Sequence, residues 1–171
     1  YDTLYNELVA VRDGIVLGFI VHGNKLFDFG TYGIYDTFSD SMLSGITPGN
    51  ILCGTSFEGC LYLGFENGVI IKYPGNYVVA KRQYPVNTLI AWNDILIDGG
   101  EYGIYKTLGD EKIAERDNPV LSLLVWRNKL IDFGLYGIYS TFESKLLTSV
   151  KFVSNAMIVK KEKALIDKIV L

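Results

Sequence analysis

The sequence predicts an all-β chain: a small propeller of five four-stranded blades, about 34 residues each, forming a single domain over residues 1–171. Three observations carry that expectation. LFDFGTYGIYDTF (26–38) recurs as ILIDGGEYGIYKTL (95–108) and LIDFGLYGIYSTF (130–142), with the Tyr-Gly-Ile-Tyr glycine at Gly33, Gly103 and Gly137. The gap between the first two copies is twice that between the last two, and a degenerate copy, LYLGFENGVIIKY (61–73), fills it with Gly68 in register. The ends are complementary halves: KALIDKIVL (163–171) matches NKLIDFGLY (128–136), with Asp167 answering Asp132, and Tyr1-Asp2-Thr3-Leu4 matches Tyr35-Asp36-Thr37-Phe38.

Each unit reads as four short strands. In 119–150, VLSLLVW (120–126) is an apolar run suited to a buried strand, and NKLIDF (128–133) mixes polar and apolar positions. YGIYSTF (136–142) is aromatic and β-branched, and SKLLTSV (144–150) alternates. Tight turns rich in Asn, Gly, Glu and Ser join them, and no segment combines a sustained helical period with caps. The blade units are then 14–47, 51–83, 86–117, 119–150, and 152–171 completed by 1–13. Strands at 152–160 and 163–171 are expected to pair with strands at 1–4 and 7–11 and close the ring, because a four-stranded blade cannot bury both faces alone.

This organisation resembles WD40-type and related small propellers over the whole chain, without their Gly-His and Trp-Asp dipeptides; Trp92-Asn93 and Trp126-Arg127 sit at the end of the innermost-type strand. The resemblance implies a rigid disc that serves as a binding platform.

Composition narrows the function classes. Half the chain is apolar, and sixteen basic against nineteen acidic residues leave a net charge of −3, which argues against a nucleic-acid or membrane-surface protein. No apolar run reaches the ~20 residues of a membrane span. The chain begins at Tyr1 rather than Met, from which the loss of upstream residues is expected, and the compartment stays open with a slight balance toward the cytoplasm. Cys53 and Cys60 are expected as small buried thiols: a turn at Glu58-Gly59 sets Phe57 opposite Cys60 and carries Cys53 beyond disulfide reach.

Asp28-Phe29-Gly30 and Asp132-Phe133-Gly134 match the tripeptide with which protein kinases hold magnesium, but no kinase phosphate loop, strand lysine or His-Arg-Asp loop accompanies them. Their recurrence marks architecture instead. Asp28, Asp98, Asp132 and Asp167, with Tyr62 taking the place in the degenerate unit, are expected to accept hydrogen bonds from turn N–H groups, while Gly33, Gly68, Gly103 and Gly137 supply positive φ. The competing reading is a carboxylate ring that binds a cation. Tyr32, Tyr102 and Tyr136 are expected to pack between blades, or else to stack on sugar rings. Arg12, Arg82 and Arg116 recur in Ala-x-Arg segments, either as solvated loops with weak ion pairs or as a face toward an acidic partner.

His22, the one histidine, lacks the companions of a zinc site, and no catalytic constellation, cofactor loop or metal motif emerges. The expected function is non-catalytic binding of a protein partner. The alternatives are a lectin-like propeller with one site per blade and an enzyme with a rim site. A private site is expected where the repeat breaks: the second unit, Phe57 to Tyr77 with its extra Asn67, and the loop Thr47-Pro48-Gly49-Asn50.

Overall fold

The computed structural model describes residues 8–46 and 49–149. They form four antiparallel four-stranded sheets in sequence order. The first blade holds β1 (Val16–His22), β2 (Lys25–Gly30), β3 (Gly33–Asp36) and β4 (Ser41–Met42). The second holds β5 (Ile51–Phe57), β6 (Cys60–Phe65), β7 (Val69–Tyr73) and β8 (Tyr77–Lys81). The third holds β9 (Val86–Trp92), β10 (Ile95–Gly100), β11 (Gly103–Lys106) and β12 (Glu111–Ala114). The fourth holds β13 (Val120–Trp126), β14 (Lys129–Gly134), β15 (Gly137–Ser140) and β16 (Lys145–Thr148).

Local chemistry sets these hairpins. The turn between first and second strands has positive φ at both centres in three blades: 46° and 70° at Glu58-Gly59, 46° and 57° at Asn93-Asp94, and 47° and 59° at Arg127-Asn128. That is the two-residue turn whose twist matches the flanking strands. Gly33, Gly68, Gly103 and Gly137 take φ of 103°, 82°, 99° and 121°, as expected of the repeated glycine. Phe57 pairs with Cys60, and both cysteines are free thiols. Cys53 is buried and donates to Val86 O at 3.2 Å, whereas Cys60 is half-buried rather than fully inside.

The core lies between blades. One cluster joins Phe27, Phe29 and Ile34 of the first blade to Ile51, Leu61 and Leu63 of the second. The next joins Tyr62 and Ile70 to Val86, Leu89 and Leu96, and a third joins Ile97 and Ile104 to Val120, Leu123 and Leu130. Each blade therefore has an outgoing face that packs on the incoming face of its successor. The first strands lie innermost and side by side, β1 against β5, β5 against β9, β9 against β13.

This is a propeller-like arrangement, and it corrects the closed five-blade expectation in one respect. Among the described residues there are four blades in an open arc, with no strand pairing between the last and the first. The fifth unit, with Asp167 and the strands at 1–4 and 152–171, lies outside the described residues. Residues 8–11, expected as part of a strand, are not in one, because no neighbouring described strand offers them a ladder.

Gly68 should tolerate no side chain: it holds φ 82°, and a Cβ there would lie 2.2 Å from Arg82 O. Gly68→Ala is expected to cost about 2 kcal/mol or more, against roughly 1 kcal/mol for Gly23→Ala, where φ is 58° but a Cβ meets nothing. Urea titration of both variants measures the difference.

Candidate functional site

The repeated polar residues assemble between blades. Arg82 follows β8 in the linker and reaches across to β10, donating from Nε to Asp98 Oδ2 at 2.8 Å and from Nη2 to Oδ1 at 2.9 Å. Arg116 repeats this on Asp132 at 2.7 and 2.9 Å, and Arg12 on Asp28 at 2.6 and 2.8 Å. All three guanidiniums stack on the tyrosine of the third strand, 4.4 Å from Tyr35, 4.5 Å from Tyr105 and 4.7 Å from Tyr139. Tyr32 and Tyr136 add their hydroxyls to the carboxylate, at 2.6 and 2.9 Å, and Thr37 donates to Asp28 at 2.8 Å. Tyr102 occupies the same place with its hydroxyl outside hydrogen-bonding geometry. Arg12 also reaches Asp40, and Arg82 reaches Asp110, from the turn after the third strand.

This geometry corrects two expectations. The aspartates lie inside β2, β10 and β14 and accept from Arg, Tyr and Thr side chains, not from turn N–H groups. The arginines are not solvated: their side chains are only 6–7 % exposed, against 0–3 % for the aspartates they bind. Burying a carboxylate is tolerable only with such a partner. The tyrosine rings flank the pairs, each tilted against the third-strand ring three residues on, as in Tyr32–Tyr35 at 5.8 Å.

Titration behaviour follows from the contacts. Burial pushes the Asp28 carboxyl up, but hydrogen bonds from Arg12, Tyr32 and Thr37 outweigh it and hold it below the usual carboxylate range. Burial, reinforced by the neighbouring aspartate, pushes the Tyr32, Tyr102 and Tyr136 phenols upward.

The second blade departs from the pattern. Pairing register puts Leu63, not Tyr62, in the aspartate's place: Asp28 faces Phe19, Asp98 faces Leu89 and Asp132 faces Leu123, while Leu63 faces the equivalent Gly54. Tyr62 stands where the other blades have Phe27, Ile97 and Ile131. Ile71 pairs with Leu63 as Tyr35 pairs with Asp28, so carboxylate and stacking ring are both replaced by buried apolar groups. The arginine's place falls on position 47, outside the described residues.

The second blade's turn between β6 and β7 carries one extra residue, and Asn67 caps it by accepting from Val69 N at 3.1 Å. A shallow open cleft of about 400 Å3 lies there, lined by Gly49, Asn50, Phe65, Glu66 and Asn67. Asn50 donates to Glu66 at 2.5 Å, and both Glu66 and Asn67 are exposed. The cleft thus sits where both departures from the repeat meet, the loop ending at Asn50 and the enlarged turn. On the opposite end, His22 Nδ1 and Ser56 Oγ lie 2.8 Å apart across the first two blades. Reasoning from sequence missed the Arg–Asp pairing, although its signal is present: each arginine precedes its aspartate by the same 16 positions.

No protein-family model matches the chain, and no curated protein matches it. Solved structures do. The computationally designed Ika8 protein aligns over 86% of this chain and 54% of its own, with TM-score 0.61 and 15% identity. The designed Ika4 protein aligns over 73% and 88%, with TM-score 0.53 and 11% identity. The extracellular domain of the putative hybrid two component system BT4673 from B. thetaiotaomicron aligns over 71% and 20%, with TM-score 0.60 and 18% identity. The chain therefore spans about half the length of the first and a fifth of the last. These likenesses concern the fold. The extracellular neighbour lends the cytoplasmic expectation no support, and no helix among the described residues is long and apolar enough to cross a membrane.

Two outcomes follow for the ion clusters. Asp98→Leu alone leaves the buried Arg82 guanidinium with only the exposed Asp110 as anion and is expected to cost about 3 kcal/mol. Asp98→Leu, the residue the second blade has at that place, combined with Arg82→Met should recover most of it in a denaturation double-mutant cycle. Because Asp28 is held below its unfolded pKa of ~3.9, its contribution is present above that pH and lost as pH falls through the folded value. Asp28→Asn should therefore be less stable at neutral pH and lose less on acidification.

Proposed function

We propose that the chain is a non-catalytic binding module, a five-bladed propeller that acts as a rigid disc for protein–protein contact. The observation that carries this reading is the division of labour between blades. The repeated arginines, aspartates and tyrosines are engaged with one another, while the second blade, which abandons them, holds the cleft formed by Gly49, Asn50, Phe65, Glu66 and Asn67. Tyr84, 42 % exposed, lies in the linker whose backbone touches Gly68 at the base of the same turn. A half-exposed patch with amides, a carboxylate and a tyrosine suits a transient protein interface.

A partner recovered by cross-linking pull-down is expected to bind Glu66→Lys at least roughly tenfold more weakly, ~1.4 kcal/mol, with circular dichroism unchanged. Equal binding by the variant would remove the cleft from the interface. A glycan array followed by calorimetry tests the competing reading: saccharide binding at four or five equivalents per chain would overturn the protein-scaffold proposal in favour of one sugar site per blade.

A further inference from the structure

The incoming face of the first blade is apolar and uncovered. Val16 is 42 % exposed, whereas its counterparts Ile51, Val86 and Val120 are all at 0 %. Phe19 is 61 % exposed, and its counterparts Leu89 and Leu123 are 7 %. Leu26 is half-buried where Leu61, Leu96 and Leu130 are at 1 %. The positions of Val16 and Leu26 are buried in all three following blades and that of Phe19 in two, yet they are open here, which marks an unfilled interface, not scattered surface side chains.

Resting on the five-blade reading above, we infer that residues 151–171 of this chain cover this face, with Ile166 as the anchor. In each described interface one outgoing residue of the second strand shares a cluster with the residues at these positions: Phe27 with Ile51 and Leu61 (the third place being Gly54), Tyr62 with Val86, Leu89 and Leu96, Ile97 with Val120, Leu123 and Leu130. Leu165-Ile166-Asp167 repeats Leu130-Ile131-Asp132, so Ile166 is the next residue of that series and answers Val16, Phe19 and Leu26. Lys151 precedes Asp167 by the same 16 positions as Arg116 precedes Asp132, so the segment also carries a cation and a carboxylate at the tie's spacing. Charge agrees: residues 151–171 hold five lysines against Glu162 and Asp167, net +3, and the remaining 150 residues hold net −6. Twenty-one residues also suffice for two strands, since β13 and β14 with their turn occupy only Val120–Gly134.

The test needs no partner, so its failure is separate from failure of the binding proposal. In a Cys60→Ser background, which leaves only the buried Cys53 as native thiol, Phe19→Cys is labelled with a maleimide in the full chain. Leu135→Cys, on an exposed turn, is the reference. Phe19→Cys is expected to react at least about tenfold more slowly than the reference, and adding Ile166→Asp should restore the rate. Equal rates in the parent chain would overturn the inference. So would protection that survives Ile166→Asp, or protection that disappears on dilution together with a dimer mass by light scattering, which would assign the face to a second copy.

Discussion

The pairing of a linker arginine with a buried strand aspartate organises this molecule. Burying a carboxylate to 0 % exposure, as at Asp98 and Asp132, is costly unless a cation and hydrogen-bond donors surround it. The cation arrives from the segment that leaves the preceding blade, so meeting the aspartate's need also fixes the path of the linker. The guanidinium stacks on the third-strand tyrosine, which ties three elements to one point. Removing either charge alone is far costlier than removing both, and the second blade removes the aspartate and the stacking tyrosine together. Leu63 and Ile71 fill the space with the apolar contacts of the largest cluster.

That constraint also governs where recognition can occur. Polar residues repeated in every ordinary blade look like a ring of equivalent sites, yet most of their hydrogen-bonding capacity is used between blades. A tyrosine whose hydroxyl is bonded to Asp28 or Asp132 and whose ring abuts a guanidinium has little left for a ligand. The surface free to specialise lies where the repeat is relaxed. The second blade keeps its sheet and its packing on both neighbours, and its enlarged turn lines a cleft beside Asn50.

Packing between blades is directional. Each outgoing face offers one large side chain from its second strand, and each incoming face receives it with a residue from the start of the first strand and one from the second strand, joined in the third and fourth blades by one from the middle of the first strand. Such an interface is built by repetition and has no natural end, so a chain of blades either closes or leaves one incoming face open to water.

The sequence by itself determined the all-β class, the blade repeat, the strand order within a blade and the left-handed glycines, because these depend on local chemistry: period-two patterning, turn residues with positive φ, and spacing along the chain. It placed Phe57 opposite Cys60 and pointed to the second unit and the 47–50 loop as the irregular region. Tertiary structure decided what the repeated residues are for. Whether Arg82 is solvated or bound to Asp98 depends on how far the linker brings it across the next blade. The register that sets Leu63, and not Tyr62, in the aspartate's place depends on where the extra turn residue is absorbed. Both are properties of neighbouring strands in space, and a repeat read along one dimension carries the spacing of such contacts without their partners.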